Sequence, residues 1–474
     1  MNISGTIMTQ DKTKQFKRRN KQMRKKLLAS LMAAAMAATA LAGCGGEKAS
    51  EAPAEKATEA AKTESEAPAA EAEDNGEVVE LEFWSWWSSE ARKPHIEKMV
   101  QDFNDSQSKY HVTYVDIPWG DIFTKNIAQI AAGNPCDIMA NSMSEVRFRA
   151  SEGQVESLDD YITDDVKGAF YEQYIDACSG EDGKLYALPF SVDTRVIYYN
   201  KAHFEEAGIK AEDIKTWDDL AEAAYKLDVK DGDKYTRVGF MPGLGNGGIA
   251  TWLINANQGP CWYTEDGETV TPTVNSDVNK EGYAWFRSMI DHYGQDTYNE
   301  YEAAFKSGMA DPFASGAMSM LVQTSAYTSS LAQTAPDMEV GVMLLPEFKE
   351  GNGNTADGDG FVLEIPKGAK CPEGSYEFIK FATGYEAQDY ISSSLGDFSA
   401  RNDFSDDSQF FQKPLVADIA KALEQTSTAI IPNSIKGYTD VINPLLDEAR
   451  LGLKSTDEAL DGAQKAFEQF IDNN

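Results

Sequence analysis

Alternating strand and helix patterns in the first third of the chain are the feature that most limits its fold. Val78–Phe83 (VVELEF) alternates apolar and polar residues, which is typical of a strand, and Tyr110–Ile117 has a similar pattern. Residues 95–104 carry apolar side chains at helical spacing. A second helical pattern over residues 122–132 leads to a short apolar strand at 137–140. This β-α-β-α-β order predicts an α/β fold with mostly parallel sheets and helices on their faces.

The amino-terminal segment has the pattern of an export signal. Residues 27–44 read LLASLMAAAMAATALAGC, and three basic residues at 24–26 precede them. The apolar run is too short and too rich in alanine for a spanning helix, which needs roughly 20 strongly apolar residues. Its ending, LAGC, resembles a bacterial lipobox, which implies that residues 1–43 are removed and that Cys44 carries a lipid. An ordinary cleaved signal and an uncleaved anchor are the alternatives, and Met23 is a candidate start.

The segment that follows predicts a spacer between lipid and folded body. Residues 44–77 are almost entirely Gly, Ala, Glu, Lys, Ser, Thr and Pro, without an aromatic residue. Such a composition cannot bury enough apolar surface to offset the loss of conformational entropy, so we expect a disordered linker. The body, residues 78–474, carries all 8 tryptophans of the chain and is long enough for two domains.

Charge and motifs exclude several classes of function. The formal net charge of −34 argues against nucleic-acid binding, which needs basic patches. Beyond Cys44, four cysteines (136, 178, 261 and 371) lack metal-site spacing, and they could form two disulfides or remain free thiols. No GxSxG, HExxH or GxxxxGK[ST] motif is present. The DGDG run at 357–360 lacks the further acidic ligands of a calcium loop. We therefore predict neither a metal nor a cofactor.

Several motifs of the body together resemble one protein family. The motifs are Phe83-Trp84, IAAGNPCDIM (130–139), LPFSVDTRVIYYNKAHFEEAGI (188–209), TWDDL (216–220), FASGAMSM (313–320), DGDGFVLEIPKGAK (357–370) and FIKFATGYEAQDYISSSLG (378–396). Their order and spacing are similar to those of the extracellular solute-binding proteins of ABC importers, especially the branch that includes maltose-binding and other sugar-binding proteins. Two departures lie near the expected cleft: Tyr327 stands near where the family often has Trp, and Asp397 follows Gly396 where the family often has Pro.

The resemblance implies a fold of the type II periplasmic-binding-protein kind. Two α/β domains with mostly parallel sheets would be joined by a three-segment hinge around a ligand cleft and would close by hinge motion. The motif order places the segments as follows: an amino-terminal lobe at 78–190 plus 358–394, a carboxyl-terminal lobe at 195–346 plus 400–474, and crossovers near 189–194, 346–360 and 393–401.

Candidate ligand-binding residues follow from this arrangement. In α/β sheets ligands bind beyond the carboxyl ends of strands, and a sugar needs aromatic platforms with hydrogen-bonding groups at their edges. Core packing is the alternative for the tryptophans, loop capping for Asn141, an ion pair with Arg195 for Asp193, and a hinge role for Arg401. The candidates are Trp84, Ser85, Trp86, Trp87, Asn141, Asp193, Trp252, Tyr327, Gly360, Phe361 and Arg401.

These features predict a binding protein that performs no chemistry on its ligand. We expect a lipid-anchored monomer on the outer face of the membrane that captures a carbohydrate, best a neutral oligosaccharide, and delivers it to a permease. Closure would be favoured because the ligand binds the closed state better than the open state. The alternatives are a surface glycosidase, which needs two carboxylates across a sugar, and a subunit that feeds a membrane sensor kinase. Polyols, polyamines and other small solutes are alternative cargoes.

Overall fold

The computed structural model describes residues 78–266, 269–306, 311–404, 407–428 and 431–473, which belong to one compact unit, Asp74–Asn474. The predicted signal peptide, Cys44 and the whole of the predicted linker lie outside the described residues. The strands are β1 (Val79–Ser85), β2 (Tyr110–Asp116), β3 (Ile138–Ser142), β4 (Ala187–Val192), β5 (Arg195–Asn200), β6 (Val229–Asp231), β7 (Lys234–Arg237), β8 (Tyr263–Asp266), β9 (Thr269–Pro272), β10 (Met320–Thr324), β11 (Val340–Met343), β12 (Ala356–Gly358), β13 (Gly360–Glu364) and β14 (Thr426–Thr428).

The helices of the described residues are short to medium in length, and three 3-10 turns (Met143–Glu145, Ala211–Asp213 and Asn433–Ile435) lie between them. They are α1 (Lys93–Ser106), α2 (Trp119–Ala131), α3 (Val146–Ser151), α4 (Asp164–Gly168), α5 (Glu172–Ala177), α6 (Lys201–Ala207), α7 (Trp217–Leu227), α8 (Ile249–Asn257), α9 (Asp277–Tyr293), α10 (Gln295–Lys306), α11 (Tyr327–Thr334), α12 (Pro372–Ala382), α13 (Tyr385–Leu395), α14 (Val416–Leu423), α15 (Thr439–Arg450) and α16 (Thr456–Asp472).

Local sequence explains where several helices begin and which face they bury. The apolar positions that predicted α1 are its buried face: Ile96, Met99, Val100 and Phe103. Helices α7 and α16 each begin with a capping box, in which the N-cap hydroxyl and an acidic side chain three residues later satisfy free backbone N–H groups. The helical pattern predicted from the sequence over residues 95–104 is thus confirmed as the central part of α1.

A five-stranded sheet forms the centre of what we call the first lobe, the described part of residues 78–192 and 360–411. Its strand order is β2-β1-β3-β13-β4. β1 is parallel to β2 and β3, whereas β13 is antiparallel to β3 and β4. Four strands therefore share one direction and β13 alone is reversed. The carboxyl ends of those four strands and the amino end of β13 meet at the same edge of the sheet.

The second lobe, the described part of residues 195–358 and 416–473, is built on a smaller sheet. Its order is β10-β5-β11, and β5 is antiparallel to both neighbours. β5 begins next to the end of β4, so it runs away from the first lobe, and β10 returns toward it, with Thr324 beside Arg195. A second apolar cluster, which includes Tyr263, Tyr283, Tyr438 and Phe467, joins α15 and α16 to this lobe.

The predicted α/β class is confirmed, but the strand directions are more mixed than predicted. In the first sheet, four of the five strands run in the same direction, as expected for a mostly parallel sheet. In the second sheet, both pairs of neighbouring strands are antiparallel. The reason is the chain path: β4 leaves the first lobe through Asp193 and Thr194, and the chain returns through Asp359 into β13 at the same edge. A strand that enters where its neighbour leaves must run antiparallel to it.

The third connection lies later in the chain than the predicted range near 393–401. The backbone of Phe398 bonds to Val192, that of Ala400 to Tyr171, and that of Asn402 to Ala169, so this segment stays on the first lobe. Phe410 packs against Phe398 there. The chain reaches the second sheet with α14, which packs on β5 and β11.

The four cysteines within the described residues are free thiols, of which Cys136, Cys178 and Cys261 are buried and Cys371 is partly exposed. Of the two alternatives left open by the sequence, the structure has the free thiols. Burial raises the pKa of each of the three buried thiols, which keeps them protonated and unreactive.

Gly360 is required by the close approach of strands β13 and β4. A Cβ atom at this position would lie 2.3 Å from the Ser191 carbonyl oxygen and 3.1 Å from the Val192 Cα, both backbone atoms. We expect Gly360→Ala to lower the free energy of unfolding by about 1–3 kcal/mol, because the backbones of β13 and β4 must move apart. Urea denaturation of the protein measures this.

Gly462 in α16 is the matched control, because a Cβ atom there meets nothing within 4 Å. Gly462→Ala should leave stability unchanged or raise it by about 0.5–1 kcal/mol. Equal effects of the two substitutions would contradict a specific packing role for Gly360.

Candidate ligand-binding cleft

The candidate site lies at the edge where the first-lobe strands end and the chain crosses to the second lobe. Trp86 and Trp87 follow β1, and Trp119 follows β2 at the start of α2. Ser142 ends β3 and pairs with Phe361 near the start of β13. Because β13 is reversed, Phe361 stands beside groups that follow the carboxyl ends of the other strands. This is the position at which α/β sheets bind ligands.

A cluster of partly exposed aromatic rings covers this edge. The ring of Trp86 lies 4.3 Å from that of Trp119 and 5.2 Å from that of Phe361, both edge to face. Phe123 extends the cluster from α2, with its ring 4.8 Å from Trp119. Trp119 is 47% exposed, which is unusual for so large an apolar side chain. The cluster, Trp86, Trp119, Phe123 and Phe361, is called the aromatic platform below.

A cavity of about 460 Å³ lies against the platform. Its size falls within the range of small-molecule sites. Aromatic and aliphatic side chains form one part of its wall, and hydroxyl, carboxylate, guanidinium and amide groups form the rest. The lining residues are Trp119, Phe123, Ile127, Ser142, Ser144, Glu145, Phe148, Arg149 and Gln154. This combination of apolar faces and hydrogen-bonding groups suits a ligand that has both.

Two of the predicted tryptophans lie beneath the platform rather than in it. Trp87 is 3% exposed and stacks on Phe190, with ring centroids 4.7 Å apart. Trp84 points to the other face of the sheet, where it is 4% exposed and its indole N–H donates to Glu82. Since β1 alternates its side chains between two faces, Trp84 lies on the face opposite its neighbour Phe83, whose ring packs against that of Trp87.

Ser85 and Asn141 are fully buried, and they hydrogen-bond to residues beneath the aromatic platform and the cavity. The Ser85 hydroxyl is 3.0 Å from the hydroxyl of Tyr114 and accepts a bond from the backbone of Trp87. Asn141 donates to Glu364, which forms an ion pair of 2.8 Å with Arg149. Arg149 lines the cavity, so this buried network fixes part of its wall.

Charged groups meet at the hinge beside the platform. Asp193 forms an ion pair with Arg195 and accepts a hydrogen bond from the backbone of Asp359. Asp357 lies 3.5 Å from Arg195 on its other side. Burial, reinforced by the charge of Asp193, raises the pKa of Asp359 to about 6, although a backbone hydrogen bond from Gly360 opposes the shift. Three carboxylates therefore share one guanidinium where the chain crosses between lobes.

The remaining predicted residues do not join the platform. Trp252 is fully buried in the second lobe among Trp217, Phe240 and Trp285. Arg401 is held on the first lobe by Asp403 and by the Thr383 carbonyl oxygen.

Tyr327 is 7% exposed at the start of α11, with its hydroxyl bonded to Asp311 and its ring against Tyr198. It lies three residues beyond the hinge end of β10, so it stands near the hinge side of the second lobe. Its hydroxyl and its ring both make these contacts within the second lobe.

Sequence reasoning missed Trp119, Phe123 and the cavity residues that follow β3. A signal was present for Trp119, since it stands directly after Pro118 at the end of the predicted strand 110–117. The rule that predicted Trp86, that ligand-binding residues follow the carboxyl ends of strands, also predicts Trp119 when it is applied to this strand. Phe148 and Arg149 had no comparable signal, because their position depends on the turn Met143–Glu145 that redirects the chain into α3.

The described residues contain neither a cluster of metal ligands nor a helix suited to cross a membrane. No group of three or more His, Cys, Asp or Glu side chains there is arranged to hold a metal ion. None of the helices in the described ranges has both the length and the apolar character that a membrane span needs.

Comparison with known proteins identifies the family. Residues 87–389 match the model of the bacterial extracellular solute-binding proteins. The chain belongs to this family. The resemblance inferred from the motifs is thereby confirmed.

Individual relatives are distant. A binding protein of Brucella abortus (strain 2308) is 27% identical over 267 residues, which cover 55% of this chain and 62% of that protein, so the match spans less than two thirds of its length. The arabinooligosaccharide-binding protein of Bacillus subtilis is 24% identical and the match covers 80% of this chain and 93% of that protein. The solved structure of CpMnBP1 with mannotriose bound superposes with a TM-score of 0.67 at 22% identity, covering 82% of this chain and all of that one. The last comparison confirms the type II binding-protein fold.

The raised pKa of Asp359 predicts a specific dependence of stability on pH. In the folded protein this carboxyl holds its proton up to a pH of about 6, whereas its ordinary pKa is 3.8. At this group the folded state therefore binds more protons than the unfolded state between these values, so the contribution of Asp359 to the free energy of unfolding should rise as the pH falls from 7 to 4. Asp359→Asn removes this contribution. Melting temperatures of both proteins should be measured across this range. As the pH falls, the melting temperature of the wild type should rise relative to that of Asp359→Asn. Parallel curves would contradict the shift.

Proposed function

We propose that the chain is the solute-binding component of an ABC importer and that its ligand is a carbohydrate, best a neutral oligosaccharide. The observation that carries this proposal is the aromatic platform, with Trp119 47% exposed beside a cavity of about 460 Å³. A sugar ring has an apolar C–H face that stacks on aromatic rings and hydroxyl groups at its edge. Ser142, Ser144 and Glu145 supply hydrogen-bonding partners around the platform.

Charge favours a neutral ligand over an anionic one. Asp193, Asp357 and Asp359 outnumber Arg195 at the hinge, whereas the cations at the cavity wall are already paired, Arg149 with Glu364 and Lys436 with Glu145. A phosphate or carboxylate brought to this edge would meet several like charges at short range, which is unfavourable. The similarity to an arabinooligosaccharide-binding protein supports the same choice. A polyamine would also satisfy the charges, so it belongs in the test.

The function follows from hinge motion rather than from chemistry on the ligand. The strands that leave and enter the first lobe do so next to the platform, so rotation at Asp193 and Asp359 changes the distance between the platform and the second lobe. A ligand that contacts both lobes favours the closed form by its differential affinity for that form. The closed form presents both lobes in one relative orientation, which a permease in the membrane can recognise.

Trp119 is the residue whose removal tests the carbohydrate proposal. A screen of oligosaccharides, polyols, polyamines and amino acids by thermal shift should give a rise in melting temperature with one class of oligosaccharide, because that ligand binds the folded form alone. Trp119→Ala should weaken the affinity for that sugar by about tenfold, as expected for a central aromatic contact. Isothermal titration calorimetry measures the loss.

Tyr225→Ala is the matched control, since Tyr225 is a 38% exposed aromatic residue on α7 of the second lobe, far along the chain from the platform strands. It should bind the sugar as the wild type does. A shift with polyamines and none with sugars would overturn the carbohydrate proposal and keep the binding role. Gradual disappearance of a stabilising sugar would instead favour a glycosidase.

We further propose that the chain is held at the membrane by a lipid on Cys44. The motif LAGC after an apolar run supports this, and the linker at 44–77 supplies the reach. In a bacterial host, the wild-type protein should partition into the detergent phase of Triton X-114, whereas Cys44→Ala should move to the aqueous phase or the medium. Equal partition of both proteins would contradict lipidation at Cys44.

A further inference from the structure

A short segment of the second lobe reaches across to the wall of the cavity. The turn Asn433–Ile435 and the following Lys436 are anchored in the second lobe by Ile435, which is 1% exposed, and by Tyr438, which is 6% exposed. The ring of Tyr438 stacks on that of Phe467 in α16, with centroids 4.6 Å apart. The segment is thus a firm part of its own lobe.

Lys436 makes two contacts with the first lobe. Its Nζ atom lies 2.6 Å from Glu145 Oε2 in an ion pair, and the same atom stands 3.4 Å from the ring centroid of Phe148. A third contact nearby joins the lobes: the backbone N–H of Asn433 donates to Glu181 Oε1 at 3.2 Å. These contacts form between groups that move apart when the two lobes rotate away from each other.

The first-lobe partners of Lys436 are parts of the cavity wall. Glu145 and Phe148 both line the cavity beside Trp119. Glu145 belongs to the turn that follows β3, and Phe148 to α3. Lys436 therefore connects the second lobe to the cavity wall beside Ser144, the residue whose backbone hydrogen-bonds to Asp359.

We propose that Lys436 is an inter-lobe latch, a positioning residue that stabilises the closed cleft through Glu145 and Phe148 even without ligand. An ion pair between half-exposed groups contributes little alone, and a cation over an aromatic ring adds a comparable amount. Together they should shift the ratio of closed to open forms by about fivefold. A ligand then enters a protein already biased toward its binding form, and it leaves only after the latch opens.

This inference depends on the two-lobed cleft and not on the identity of the ligand, so its test uses the protein without ligand. Lys436→Met keeps the aliphatic stem and removes the charge. Small-angle X-ray scattering of the mature chain should give a larger radius of gyration for Lys436→Met than for the wild type. Glu145→Gln should give an intermediate value, because the contact of Lys436 with Phe148 remains.

Lys349→Met is the matched control. Lys349 Nζ lies 2.6 Å from Glu281 Oε2 and 4.8 Å from the ring centroid of Phe348, so it makes the same two kinds of contact, but all within the second lobe. This variant should scatter as the wild type does. The control separates loss of an inter-lobe contact from loss of any lysine of this kind.

Salt provides a second, independent measurement. Screening between about 0.01 M and 1 M salt reduces the Debye length from roughly 30 Å to 3 Å and weakens half-exposed ion pairs. The wild type should expand toward the dimensions of Lys436→Met as salt rises, whereas Lys436→Met should respond much less. Identical scattering of the wild type and Lys436→Met at low salt, with both folded by circular dichroism, would overturn the latch.

Discussion

The reversed strand β13 is the constraint on which the rest of the structure depends. It fills the gap between β3 and β4, so its amino end and the carboxyl end of β4 stand side by side at one edge of the first sheet. Gly360 makes this possible, since no side chain fits between its Cα and the backbone of Ser191. Two crossovers therefore lie within one strand spacing of each other. The same reversal puts Phe361 against Trp86, so the proposed hinge and the aromatic platform share an edge.

A buried polar network holds this edge in place from the inside. Glu364 ends β13 and is fully buried, and its partners Arg149 and Asn141 come from α3 and β3. Such a pair contributes little net stability compared with apolar packing, but removing one partner leaves an uncompensated charge and costs several kcal/mol. We interpret the network as a device that fixes the position of α3 relative to β13. Through Phe148 and Arg149, it also fixes the cavity wall that Lys436 contacts.

The sequence was most informative where local pattern decides structure. The apolar spacing of α1, the strand pattern of β1 and the placement of Trp86 after it follow from periodicity and from a general rule about α/β sheets, and the structure has them. Trp252 shows the opposite case: its neighbours in sequence resemble a helix that could face either way, and only the packing of Trp217 and Trp285 against it decides that it is buried. The direction of β13 could not be predicted from its own residues, because it results from where the chain returns after about 160 residues in the other lobe.

The proposed hinge and the proposed latch act on the same equilibrium between open and closed forms. At the hinge, Arg195 balances only part of the charge of three aspartates, and burial of Asp359 raises the pKa of its carboxyl, so the hinge groups carry an electrostatic cost at neutral pH. At the cavity wall, the contacts of Lys436 with Glu145 and Phe148 would, on our proposal, be favourable only when the lobes are together. Open and closed forms of such proteins differ by a few kcal/mol, so terms of this size change their populations substantially. On the proposed function, a ligand that binds at the aromatic platform needs to supply only the remaining free-energy difference between the open and closed forms.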